Sequence, residues 1–224
     1  MHPAPSAGST TIHCPECGAP ASLRAGTVTR VCDYCGSTLV RTDVDVELVG
    51  KVSHLLDTAS PILLGAHGQY GGVPFDIVGR LQVRYARGTW NEWYLAFADG
   101  TFGWLTDAQG RFAVLRPATA DTTLPSWSDL RIGAIVPVDG RRYLVVDRRA
   151  AAYGGAEGEL PFVARPGVTF HAADLADDEG GMITLDFEDD PNRGPPALYR
   201  GEYVRIGALD LSPLRTFEGW SRVG

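Results

Sequence analysis

From Pro74 to Ala86 the chain reads PFDIVGRLQVRYA, with Phe75, Ile77, Leu81, Val83 and Tyr85 on one parity and Asp76, Arg80, Gln82 and Arg84 on the other. Successive side chains of a strand point to opposite faces, so this alternation predicts a half-buried β-strand. EWYLAFA (92–98) continues as a second strand, and Asp99-Gly100 is a residue pair favoured in tight hairpin turns. TFGWLT (101–106) then returns as a third strand and RFAVL (111–115) makes a fourth. No helical crossover separates them, so the pattern predicts an antiparallel meander and disfavours a parallel α/β architecture.

A second half follows the first. LLGAHGQYGGVPFDIVGR (63–80) recurs loosely as RIGAIVPVDGRRYLVVDR (131–148), matching Gly65 to Gly133, Phe75 to Tyr143 and Val78 to Val146 at one offset of 68 residues. Past a length change, the NEWYLAF stretch around Glu92 aligns with GELPFVA around Glu159, and Leu105 aligns with Leu175. The expectation is a mostly β protein whose main unit, residues 61–210, is a two-repeat antiparallel β domain (61–118 and 128–206) of barrel-like or SH3-like sheets. Upstream, Val49, Val52, Leu55 and Leu56 recur at helical spacing until Ser60-Pro61, which predicts a short linker helix within 43–60. Residues 1–10 and 211–224 read as tails.

Composition narrows the class. Hydrophobic residues at 44% and charged residues at 21% belong to a chain that can fill a core, and 27 glycines with 15 prolines mark many turns between short segments. The formal charge of -7 works against phosphate backbones and anionic lipid unless a basic patch overrides it. Lys51 is the only lysine, and the arginines are scattered. No apolar run approaches the roughly 20 residues that span a bilayer, and the start lacks the features of a signal peptide, so a cytoplasmic, bacterial-type protein is expected.

Chemistry concentrates near the start. Cys14, Cys17, Cys32 and Cys35 form C-x2-C-x14-C-x2-C, each pair closed by a glycine, Gly18 or Gly36. Two residues between thiolates let a tight turn aim both sulfurs at one ion, and four thiolates saturate tetrahedral Zn2+. Residues 11–42 are therefore read as a zinc ribbon with one structural zinc ion and no open coordination position for a substrate. A segment this small buries too little apolar surface to fold alone, and metal binding supplies roughly 10–16 kcal/mol. A redox dithiol pair is the alternative, but no thioredoxin-like βαβ pattern accompanies it. The ribbon holds Arg24, Arg30 and Arg41 against Glu16 and Asp33. Zinc with four thiolates adds two negative charges, so nucleic-acid binding is not expected to dominate.

Between residues 60 and 206 the chain resembles an uncharacterised family catalogued as domain of unknown function 4178. The resemblance rests on Gly79-Arg80, GTWNEWYLAFADGTFGWL (88–105), EGELPF (157–162), Asp174-Leu175 and YRGEYV (199–204). An N-terminal CPxCG ribbon ahead of the domain is similar to arrangements in that family. The resemblance implies no activity.

Three function classes remain. The leading expectation is a non-enzymatic interaction module whose ribbon and β domain contact protein partners. The second is a ligand binder or enzyme using a groove between the repeats, with Trp90, Glu92, Tyr94 and Glu159 as its surface and the two glutamates brought near each other. Trp93 and Trp104 are assigned to the core and Trp90 to the exposed side. Salt bridges from Glu92 and Glu159 to Arg80 and Arg148 are the structural alternative to that site. The third class is nucleic-acid binding through the ribbon. No nucleophile motif, phosphate-binding loop or dinucleotide fingerprint is present, and the acidic segments DLADDEGG and DFEDDPNRG do not fit an EF-hand.

Overall fold

Glycine turns and alternating apolar residues divide the chain into hairpins, and the computed structural model describes residues 9–42, 46–51, 55, 58 and 60–217. The part of the chain before the main unit, the expected ribbon and the stretch that follows it, contains β1 (Thr10–His13), β2 (Pro20–Leu23), β3 (Thr29–Val31), β4 (Ser37–Arg41) and β5 (Val46–Lys51). β1 pairs with β2, and β3, β4 and β5 form a second antiparallel set.

β5 corrects the expected linker helix. Val44, Val46 and Leu48 also alternate with polar residues, and the free edge of β4 offers Val46–Lys51 a ladder of backbone hydrogen bonds. A six-residue stretch with β-branched residues gains more from that ladder than from an isolated turn of helix, whose nucleation is unfavourable. Residues 43–45, 52–54, 56, 57 and 59 of that expectation lie outside the described residues. So do residues 1–8 and 218–224 of the two tails, whereas Ser212 exchanges backbone hydrogen bonds of 2.9 Å with His67.

The main unit contains β6 (His67–Tyr70), β7 (Val73–Tyr85), β8 (Gly88–Phe97), β9 (Phe102–Ala108) and β10 (Arg111–Ala118). It continues with β11 (Ile135–Val138), β12 (Arg141–Leu160), β13 (Thr169–Ala176), β14 (Gly181–Asp186) and β15 (Ala197–Val204). Each set is a five-strand meander, and β10 pairs with β15 to join them. β12 then pairs with β13 over Leu144–Ala152 and with β7 over Ala152–Gly158, which closes an antiparallel ring in the order β7-β8-β9-β10-β15-β14-β13-β12.

The two halves share local details at the same offset. Gly65 N–H bonds to Ile77 O and Gly133 N–H to Val145 O, each at 2.9 Å. Both glycines have positive φ, 81° and 86°, a region a side chain resists. β7 and β12 carry register shifts at Ile77/Gly79 and Val145/Asp147.

The later alignment is corrected. β8 and β13 are both the third strands of their meanders, so Glu92 corresponds to Ala172 and not to Glu159, and Leu105 of β9 corresponds to Leu185 of β14 and not to Leu175. The cause is β12, which runs well beyond the end of its counterpart β7 and carries Glu159 in the extension.

Alternation gives each ring strand an outer and an inner face. The outer face of β7–β10 packs Phe75, Ile77, Trp93, Leu95 and Leu105 under Ile62, Leu209 and Leu211. The outer face of β12–β15 packs Tyr143, Val145, Leu175, Ile183 and Leu185 under Leu130 and Val138. The inner faces turn toward each other. One close approach fixes how tightly the ring is wound: a Cβ placed on Gly201 of β15 would lie 1.8 Å from Val114 O of β10.

Candidate functional sites

Two sites emerge, a cysteine cluster in the ribbon and a cavity inside the ring that opens at one end. In the ribbon, the sequence builds the same turn twice. Gly18 N–H bonds to Cys14 O at 2.8 Å and Gly36 N–H to Cys32 O at 2.9 Å, with φ of 74° and 71° at the two glycines. Open space surrounds both positions, so backbone angle and not crowding selects glycine there.

These turns bring all four sulfurs within 4.8 Å of one another. Cys14 Sγ lies 3.7 Å from Cys35 Sγ, and Cys17 Sγ lies 3.7 Å from Cys32 Sγ. A tetrahedral ion with metal–sulfur bonds of about 2.3 Å spaces its sulfurs about 3.8 Å apart, so the cluster has the dimensions of a metal site. The cysteines are free thiols, and among the described residues no other group of three or more His, Cys, Asp or Glu side chains converges closely enough to hold a metal ion. Ser37 Oγ lies 3.3 Å from Cys35 Sγ, and hydrogen bonding from the Ser37 side chain and backbone brings the Cys35 thiol down to about 6.

Glu159 is buried in the joint between ribbon and ring, its side chain 1% exposed. It accepts hydrogen bonds from Thr27 Oγ1 at 2.6 Å, Arg24 N at 3.1 Å and Arg30 Nη1 at 3.1 Å, and it pairs with the Arg24 guanidinium. β3 adds to β12 at the same place, pairing Arg30 with Glu159 and Thr29 with Leu160. This residue therefore fastens one module to the other, and it faces neither Glu92 nor Arg148.

The inner faces of the ring enclose a cavity of about 360 Å³. Trp90, Glu92, Trp104, Thr106, Arg149, Asp174, Thr184 and Asp186 line it from five strands, β8, β9, β12, β13 and β14. Tyr85, Tyr153, Phe162, Phe170, Tyr199 and Tyr203 complete an aromatic wall. The exposed lining residues Gln109, Arg111 and Val146 put its mouth at the end of the ring that carries the β9–β10 turn. On that edge of β12, pairing with β11 stops at Leu144 and pairing with β7 begins at Ala152.

Glu92 is the polar centre of this space. Trp90 Nε1 donates to Glu92 Oε1 at 2.6 Å, while Oε2 accepts no hydrogen bond among the described residues. Its side chain is partly buried and faces the cavity. Burial, reinforced by the nearby charges of Asp174 and Asp107 and opposed by the Trp90 hydrogen bond and Arg149, pushes its carboxyl up to about 8. Arg149 pairs with Asp174 at 2.7 Å and with Asp147, and its guanidinium lies 4.8 Å from the Trp90 ring centroid. Thr184 Oγ1 donates to Asp174 Oδ1 at 2.7 Å, and burial raises the Asp186 carboxyl as well.

The remaining expected residues separate. Tyr94 points inward but packs against Phe102 and Trp104, ring centroids 5.4 and 4.9 Å away, instead of lining the cavity. Trp93 faces the opposite way, in the outer core, as its parity requires. Trp90, assigned to the exposed side, is 7% exposed because it sits inside the ring. Arg80 pairs with Glu157 at 3.5 Å, and Arg148 lies over Trp127 at 3.7 Å, so neither meets Glu92 or Glu159. Sequence reasoning did not single out Arg149, Asp174, Thr184 and Asp186 as one site. Their only signal is inward parity, which takes meaning once the ring is closed.

A family model described as domain of unknown function (DUF4178) matches residues 63–205. The chain belongs to this family. The matched region contains the ring from β6 through β15 and every cavity-lining residue named above, whereas the cysteine cluster precedes it. No curated protein and no solved structure matches the chain. No helix among the described residues is long and apolar enough to cross a membrane.

Proposed function

We propose that the protein binds a small molecule inside its β ring and carries the ribbon as a structural cap. The observation that supports this is Glu92, a carboxyl with one unshared oxygen, set among aromatic walls in a space of about 360 Å³ that opens at one end of the ring. Ligand pockets run from roughly 300 to 1,000 Å³ and combine apolar lining with a few placed polar groups, and eight-stranded barrels are wide enough for one small ligand. The expected groove between repeats thus keeps Glu92 and exchanges Glu159 for Arg149 and Asp174.

The metal in this reading is Zn2+, because four thiolates at tetrahedral spacing suit a closed structural zinc site. Reduced thiols of this kind fit a cytoplasmic setting. Arg24 and Arg30 turn toward Glu159, and Arg41 Nη2 donates to Arg24 O at 3.0 Å, which supports the expectation that nucleic acid is not the partner.

The test is an Ala172→Phe variant, which fills the cavity from a wall position that is 3% exposed. Native mass spectrometry of protein purified from its cells should show a bound small molecule on the wild type and none on the variant, with metal content unchanged. Wild-type protein that carries no ligand and gains no thermal stability from a metabolite library overturns the reading.

A protein-contact role is favoured by one observation. Ile135 and Leu144 are direct cross-strand partners and are 48% and 41% exposed, with Ile132 and Val146 exposed beside them in sequence. Monomeric proteins rarely leave such apolar groups together in water. A Leu144→Asp change should then abolish a measurable association in sedimentation experiments while leaving ligand binding intact.

A further inference from the structure

The chemistry of the cavity wall narrows the ligand class, and this step rests on the binding reading above. Four carboxyl groups, Glu92, Asp147, Asp174 and Asp186, line the space against two guanidinium groups, Arg111 and Arg149. Arg149 is already matched, by Asp147 on one side and by Asp174 at 2.7 Å on the other. Arg111 lies at the exposed mouth with its guanidinium 4.6 Å from the Tyr203 ring centroid. With its acids ionised, the wall carries an excess of two negative charges, and its one inner cation commits both terminal nitrogens to Asp147 and Asp174, leaving only the solvent-shielded Nε without a partner.

The acids do not converge on a point as oxygen ligands of a metal ion must, for no such cluster occurs among the described residues outside the cysteines. What surrounds them is aromatic. The face of an aromatic ring carries negative electrostatic potential and attracts organic cations, most strongly where water is excluded. Arg149 over Trp90 shows that this interior already accommodates one such cation.

We propose that the cavity takes a compact organic cation, a protonated amine or quaternary ammonium group on a small apolar body, with its charge directed at the free oxygen of Glu92. Aromatic walls accept the apolar body, and the unmatched carboxyl accepts the charge. Because burial keeps the Glu92 proton near neutral pH, an entering ammonium group takes the place of that proton and leaves the interior no more highly charged than before.

The experiment compares three probes of one skeleton, phenethylammonium, 2-phenylethanol and phenylacetate, on the full metal-loaded chain. Titration is followed by the fluorescence of the cavity tryptophans Trp90 and Trp104 and by calorimetry. Phenethylammonium should bind about tenfold or more tightly than the alcohol, and phenylacetate should bind most weakly. Glu92→Gln, which keeps the shape and removes the charge, should bring the ammonium affinity down to that of the alcohol and leave the alcohol unaffected. Equal or stronger binding of the alcohol or phenylacetate overturns the cation assignment while the binding reading stands. An ammonium affinity that ignores the Glu92→Gln change overturns the role of Glu92, and failure of all three probes at millimolar concentration overturns both readings.

Discussion

Glu159 and Arg30 lie 129 positions apart in sequence, yet Arg30 Nη1 donates to Glu159 Oε1 at 3.1 Å and their strands are hydrogen-bonded neighbours. Burial makes this contact consequential. A carboxylate whose side chain is 1% exposed must be matched by opposite charge or hydrogen-bond donors, and Arg24, Arg30 and Thr27 of the ribbon supply both.

Glu159→Ala removes the acceptor shared by these donors. Breaking a buried ion pair from one side costs 3–5 kcal/mol, and since Arg24 and Arg30 retain some access to water a loss of roughly 2–4 kcal/mol is expected. Denaturant unfolding should show a lower midpoint at unchanged slope. An unaltered midpoint would show that the joint contributes nothing to the fold.

Cys32→Ser should lower metal stoichiometry from one ion per chain and dissolve the ribbon strands, while the ring keeps its own two cores. Elemental analysis and hydrogen exchange check the two parts separately. Retention of full metal content by the variant rules out the four-sulfur site.

The pH dependence of stability has a defined sign. Glu92 holds its proton up to about 8 when folded against an ordinary value of 4.5, so between those values the unfolded chain has lost a proton that the folded chain keeps. Stability therefore falls as pH rises through this window, by up to roughly 1.4 kcal/mol per pH unit, and levels off above about 8. Asp99 and Asp139 act oppositely and at lower pH: hydrogen bonds from Thr101 and Arg200 respectively depress their carboxyls, and that stability is lost as acid protonates them. Glu92→Gln should flatten the upper window alone. A wild-type stability that is level from 5 to about 8 would contradict the burial described for this side chain.

Gly201→Ala tests ring closure. Its new methyl group would meet a backbone carbonyl, which cannot rotate away as a side chain can, so a loss of roughly 3–5 kcal/mol is expected. Gly79→Ala should behave alike, because its Cβ would lie 1.8 Å from Glu159 O. Thermal denaturation of both variants provides the measurement, and wild-type melting in either would mean that β10 and β15, or β7 and β12, are not held this closely.

Sequence and structure agree where the determining forces are local. Cys14, Cys17, Cys32 and Cys35 were legible because a two-residue spacing and a following glycine dictate the turn, and the strands around Phe75 and Trp93 because period-two alternation is a strong signal. Val46–Lys51 departs from the expected helix because Val49 also fits a helical template with Val52, Leu55 and Leu56, and the deciding factor is a free strand edge elsewhere. Glu92 and Glu159 were paired across the repeats because the length of β12 cannot be seen in a pattern. The cavity was the least visible feature. Glu92, Arg149 and Asp174 meet through the closure of β12 on β7, a contact between distant segments that no local composition announces.

β12 touches β11, β13, β7 and β3 along its single course. During synthesis the first meander must therefore wait with both flanks unsatisfied, β7 for β12 as far as Gly158 and β10 for β15 as far as Val204. Long-range pairing of this kind is slow to form and leaves the flank of β7 open to the wrong neighbour in the meantime. The closing of the container is thus also the step at which a nascent chain is most vulnerable to misassembly.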